Sequence, residues 1–200
     1  MKSASLHLQK ADPVLKRIIE AVGPCRIPYR EPDFSTLARA IVFQQLNGAA
    51  ARTIFDRVLA VLDHGRLTPR NVLQAPVAGL RGAGLSARKT EYLRDLAEKT
   101  ASGAIRFQLL AAKSDEEVIA ALTEVRGIGV WSAHMFLLFA LRRPDVLAVG
   151  DYGVRSAVKK AYGLKELPTA RELEKIAEPW HPHSSAACWY LWQSLRIKTV

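Results

Sequence analysis

Two hundred residues carry 29 Lys and Arg against 19 Asp and Glu, a formal charge of +10 and a pI near 9.9, the footprint of a surface that meets a polyanion. A hydrophobic share of 49% supplies a core and excludes a solvated, disordered tail. Two cysteines, Cys25 and Cys188, exclude a four-cysteine zinc or iron–sulfur site and a disulfide framework, and no signal-peptide core or bilayer-length apolar run occurs; the expectation is a cytoplasmic chain, nucleoid-associated in a bacterium and nuclear in a eukaryote.

In chain order, DPVLKRIIEAVG predicts a helix with Asp12 as N-cap, Pro13 at the first helical position and Gly23 as its stop. DFSTLARAIVFQQL predicts a second, capped by Asp33. AAARTIFDRVLAVLDHG and SARKTEYLRDLAEKTASG follow, each with apolar residues at three- and four-residue spacing and a terminal glycine. SDEEVIAALTEV opens on a capping box, Ser114 with Glu117, and Thr169 with Glu172 forms another. The last helix is SSAACWYLWQSLRI. No stretch alternates apolar and polar residues at strand length between turn signals, and PDVLAV reads as an extended connection. The fold class is therefore all-α.

Two segments echo each other: LRGAGLSARK, Leu80 to Lys89, and VRGIGVWSAH, Val125 to His134. Each places an Arg-Gly-x-Gly turn before a helical pattern, and ordinary helix–helix corners produce the same signature because glycine accepts a positive φ. In the second segment a helix stops at Arg126 and Gly127, Ile128 fills the corner and Gly129 starts the next helix. Free amides and the positive dipole end of that helix make a seat for a phosphate, reached without regard to base sequence.

QQLNGAAA, GLSARKTEYL, VRGIGVWSAHMFLLF, VGDYGVR and the late Trp-rich helix, in this order, resemble the helix-hairpin-helix superfamily of DNA glycosylases, specifically its alkyladenine (3-methyladenine) branch. The resemblance runs from about Asp33 to Gln193. It implies two helical lobes with a DNA-binding cleft between them. Residues 33–143 would form one lobe, with the helix-hairpin-helix at about 114–143, and 1–32 plus 144–200 the second, which carries the catalytic Asp. Well-known relatives add an N-terminal β domain that this chain is too short to hold.

By the same resemblance Asp151 is the catalytic carboxylate. From the residues alone it is also an N-cap for the helix in YGVRSAVKKAYG, and both roles are compatible. Trp131 stands where bifunctional members carry a Lys nucleophile, two residues after the second hairpin glycine. Without that amine the expected product is an abasic site in an intact strand. Trp131, Trp192, Met135 and Tyr152 are the expected base-pocket residues, with Met135 replacing a Tyr of a known relative; a core Trp on an amphipathic helix remains the alternative for Trp131. Trp189 and Tyr190 fall on other faces of their helix.

The resemblance assigns Gln45, with Gln44 and Leu46 beside it, to the plug that fills the gap left by a flipped nucleotide; a glutamine pair ending an apolar helix reads equally as a solvated terminus. Phosphate contacts are expected at Gly127, Ile128 and Gly129, and at the first glycine turn from Arg81, Gly82, Gly84, Arg88 and Lys89. Hairpins of the family commonly bind one Na+ or K+ through backbone carbonyls, here those of Thr123, Val125 and Gly127, although Arg126 replaces the usual Pro. No redox or catalytic metal cofactor is implied, and His181 and His183 without a third ligand make a weak metal motif.

The expected function is a monofunctional glycosylase of base excision repair acting on double-stranded DNA that contains alkylated purines, 3-methyladenine or 7-methylguanine, with no membrane and no obligate protein partner. The alternatives are a non-catalytic helix-hairpin-helix module and a glycosylase for other damaged bases.

Overall fold

A computed structural model describes residues 2–46 and 48–197. The chain is helical, with no strand among the described residues. The helices are α1 (Lys2–Ala11), α2 (Pro13–Val22), α3 (Phe34–Phe43), α4 (Gly48–Val61), α5 (Pro69–Gln74), α6 (Val77–Gly82) and α7 (Ala87–Ala101), followed by α8 (Phe107–Leu110), α9 (Asp115–Thr123), α10 (Val130–Phe139), α11 (Tyr152–Ala161), α12 (Ala170–Ala177) and α13 (Ser184–Ser194). Short 3-10 turns lie at Asp63–Gly65 and Glu178–Trp180.

Capping chemistry sets the helix starts, as the sequence predicts. Asp33 accepts from the Thr36 amide, and Ser114 with Glu117 and Thr169 with Glu172 close reciprocal capping boxes. Gly23 ends α2 at φ 81°, a left-handed backbone. PDVLAV forms no strand.

The chain divides into two units, Met1–Tyr29 with Leu137–Val200, and Arg30–Phe136. The borders fall three residues before the expected 32/33 and seven before the expected 143/144, and the second lies inside α10. The reason is packing: Leu137 and Leu138 at the end of α10 and Ala140 just after it are buried, and Phe139 stacks on Trp192 of α13. In the 30–136 unit α7 is central, burying Leu93, Leu96 and Ala97 against α3 and α5. In the other unit α2 and α11 pack on α13, around Leu15, Ile18, Val158, Tyr190 and Leu191.

One buried acid joins three parts of that second unit. Asp12 accepts from the Val14 and Leu15 amides at 2.8 and 3.1 Å through Oδ1. Its Oδ2 accepts from Trp180 Nε1 at 2.9 Å and from the Tyr162 hydroxyl. Burial, together with the adjoining Asp12 carboxylate, pushes the Tyr162 phenol well above its ordinary range, so it stays a donor. Asp12→Ala leaves the Trp180 and Tyr162 donors without their acceptor. Urea unfolding is expected to show a loss of about 3 kcal/mol or more, with the slope unchanged.

Candidate functional site

Asp151 is the N-cap of α11, where its Oδ1 accepts from the Val154 amide at 2.7 Å. The same oxygen accepts from Trp192 Nε1 at 2.8 Å. The carboxylate is buried, at 9% exposure, and two donors from different helices set its orientation. The Trp192 ring is fixed in turn by stacking on Phe139, with centroids 5.7 Å apart and planes 21° apart.

Glycine makes this approach possible. A Cβ on Gly153 would lie 3.0 Å from both Asp151 Oδ1 and Trp192 Cδ1, so a side chain there would crowd both the indole and the acid. The start of α13 is positioned by the extended connection before α11. Asp145 accepts from the Ser184 amide and hydroxyl at 3.1 and 2.6 Å, and bonds His181 Nδ1 at 2.7 Å. Ser185 Oγ donates to the Arg143 carbonyl and accepts from the Val146 amide. Burial alone would raise Asp145, but these hydrogen bonds outweigh it and hold the acid below its ordinary range. Ser185 thus serves polar backbone that a neighbouring strand would otherwise serve, its amide donating in addition to the Pro144 carbonyl at 3.1 Å, which is why PDVLAV needs no sheet.

Tyr152, next to the acid, is 71% exposed. Trp189 and Tyr190 are buried, and the Tyr190 hydroxyl bonds Ser5 Oγ and the Gly23 carbonyl. His181 pairs with Asp145, and His183 meets the ring of His7 edge-on. No three His, Cys, Asp or Glu side chains gather at metal distance among the described residues.

In the 30–136 unit, α9 ends at Thr123 and α10 begins at Val130. Gly127 takes φ +77°, Ile128 is buried in the corner, and Gly129 faces open space. A Cβ on Gly127 would fall 2.1 Å from Tyr92 Cδ2. The close neighbour that requires glycine here is therefore a ring of α7, and the open approach belongs to Gly129. The two Arg-Gly-x-Gly segments share a pattern but not a shape. The positive φ falls on the first glycine, Gly127, in one and on the second, Gly84 at +106°, in the other. The first turn leads to Ser86, which caps α7.

α7 supports the hairpin and the loop after α3. Asp95 accepts from the Arg126 amide at 2.9 Å and from Lys99 Nζ at 2.7 Å. Partial burial would raise this acid, but both bonds and the positive charges of Lys99 and Arg126 hold it below its ordinary range. Lys89 Nζ donates to the Val42 and Gln44 carbonyls at 2.8 and 2.6 Å, where the sequence reading placed it on phosphate. The Gln44 amide donates to the Gly127 carbonyl at 2.9 Å. Gln45 is exposed with φ 55°, and Leu46 is 37% exposed. Arg81, Gly82, Gly84 and Arg88 are exposed.

Of the three carbonyls expected to hold an alkali ion, Val125 accepts from the Ile128 amide and Gly127 from Gln44. Each keeps a second lone pair. On α10 Trp131 is 48% exposed, and Met135, one turn on, is half-buried.

A family model for HhH-GPD superfamily base excision DNA repair proteins matches residues 38–182. The chain belongs to the HhH-GPD superfamily. DNA-3-methyladenine glycosylase 1 of Schizosaccharomyces pombe is 34% identical over 98% of this chain and 89% of its own. The S. pombe 3-methyladenine DNA glycosylase solved in complex with abasic DNA superposes at TM-score 0.88, with 34% identity over 98% of both chains. A DNA-3-methyladenine glycosidase of Bacillus halodurans reaches TM-score 0.84 at 36% identity, over 94% of this chain and 86% of its own.

Sequence reasoning missed Gly153, Phe139, Tyr92 and Asp95, whose parts in this HhH-GPD chain arise from neighbours distant in sequence. Only Asp95 left a local trace, its four-residue spacing to Lys99. Gly153→Ala is expected to lower stability by about 1–3 kcal/mol through overpacking. In a Trp192→Ala background the same change should cost less, because the indole's share of the crowding is gone while that of Asp151 Oδ1 remains; a double-mutant cycle by thermal unfolding measures the difference.

Proposed function

We propose that this chain is a DNA glycosylase that hydrolyses the N-glycosidic bond of alkylated purines in duplex DNA, 3-methyladenine and 7-methylguanine first among them. The observation that carries the reading is the Asp151 carboxylate, held at Oδ1 by Trp192 Nε1 and the Val154 amide, in a member of a base excision superfamily. The similar proteins named above, glycosylases of 3-methyladenine by name, support the substrate class.

A purine alkylated on a ring nitrogen carries positive charge and leaves as a neutral base, so the bond breaks with its electron pair passing to the purine. Positive charge builds on the deoxyribose. A carboxylate already fixed in orientation stabilises it without reorganising, while water adds at C1′ and gives up a proton. Trp192 is proposed as the residue that orients this carboxylate. Trp131 and Met135 are proposed as the surface on which the extruded cationic base stacks, with Tyr152 also in contact with the base.

Grip on the DNA is proposed at the α10 start, through the open backbone of Gly129 and its neighbours, with Arg81 and Arg88 adding phosphate contacts. An alkali ion at the hairpin would be held by the Thr123, Val125 and Gly127 carbonyls, the last shared with Gln44, and would add positive charge beside a phosphate. No step of base release passes through it.

Trp131 offers no amine to C1′, so no Schiff base forms and the strand survives. Incubated with methylated duplex DNA, the protein is expected to release 3-methyladenine, resolved by chromatography, with strand breaks appearing only after alkali. No base release, or breaks that form without alkali, contradicts the proposal.

A further inference from the structure

We infer that Lys89 is a positioning residue for base flipping: its ammonium fixes the loop that presents Gln45 to the duplex. The inference rests on the reading of the chain as a base-flipping enzyme, and it concerns a residue whose ammonium is engaged by two backbone carbonyls.

A helix leaves its last four carbonyls without intrahelical partners, and these form the negative end of its dipole. At the end of α3 a single ammonium answers two carbonyls, those of Val42 and Gln44, at 2.8 and 2.6 Å. Partial burial lowers the Lys89 pKa from its ordinary value, which fits an ammonium turned onto the protein's own carbonyls. The next residue, Gln45, adopts φ 55°. Left-handed backbone is disfavoured for a residue with a Cβ and persists only where its surroundings over-determine it.

Here the over-determination is visible on both sides of residue 44. Its carbonyl is held by Lys89, and its side-chain amide is held by the Gly127 carbonyl of the hairpin at 2.9 Å. With residue 44 pinned at backbone and side chain, Gln45 has its direction set before DNA arrives. A plug organised in advance does not have to be ordered while the nucleotide leaves the stack. The same bonds tie the plug loop to the phosphate-binding turn, so one registers the other.

The test compares wild type with Lys89→Met, which keeps the aliphatic stem and removes the charge. Two duplexes carry the same alkylated purine, one paired normally and one in an unpaired bulge where unstacking is already complete. A preorganised plug matters only for the first. Lys89→Met is expected to slow single-turnover release from the paired site by about ten-fold or more and from the bulge by less than about three-fold. Gln44→Met, which removes only the second anchor, should show the same pattern, and it stands as the variant should Lys89→Met fail to fold. The slope of duplex affinity against salt should stay unchanged.

Equal losses at both sites overturn the inference, as does no loss at either. A salt slope reduced by about one would return Lys89 to a phosphate and overturn it too. A fluorescent adenine analogue next to the lesion reports unstacking without chemistry. If wild type unstacks the site in a Lys89-dependent way yet releases no base, the proposed reaction fails and this inference stands; if the paired duplex is never unstacked, both fail.

Discussion

A carboxylate drawn out of water keeps its place only where donors meet it. At Asp151 those donors are an amide of its own helix and an indole N–H from α13. Much of the 137–200 segment exists in the form it does because of that requirement. Gly153 has no side chain so that the indole can arrive, and Phe139 supplies the flat surface that orients it. Ser184 and Ser185 tie α13 to the chain before α11. Electrostatic catalysis depends on groups whose orientation is settled before charge develops, and each of these contacts removes a freedom the acid would otherwise have.

In the 30–136 segment one helix does the corresponding work. α7 offers Lys89, Tyr92, Asp95 and Lys99 at three- and four-residue spacing, which places them along one face. Lys89 closes the end of α3, the Tyr92 ring lies against Gly127, and Asp95 takes the Arg126 amide with support from Lys99. The glycine turn and the loop after α3 both borrow rigidity from a helix whose adjoining face holds Leu93, Leu96 and Ala97 in the interior.

Legibility in the sequence followed range. Caps and stops were readable because Asp12, Asp33, Ser114 and Thr169 act within three residues of themselves. Asp151 was readable as a cap for the same reason, and its chemical part came from resemblance. The bonds of Lys89 to the end of α3 were not readable, because a lysine at a helix start looks the same whether it faces phosphate or a carbonyl; only the fold shows α3 ending there. Gly153 and Tyr92 carried no signal, since their partners, the Trp192 indole and the bare backbone of Gly127, lie tens of residues away. The paired Arg-Gly-x-Gly turns show the same limit, as equal letters folded with the positive φ on different glycines.

The most direct test of the account is single-turnover base release by Asp151→Asn, measured beside its affinity for the same alkylated duplex. Asn retains the acceptor for Trp192 Nε1 and the Val154 amide and removes only the charge. The account predicts release slowed by at least about 100-fold, the range of a lost electrostatic stabiliser, with duplex affinity within about three-fold of wild type. Release near the wild-type rate would contradict it, since the charge of Asp151 would then contribute nothing to breaking the bond.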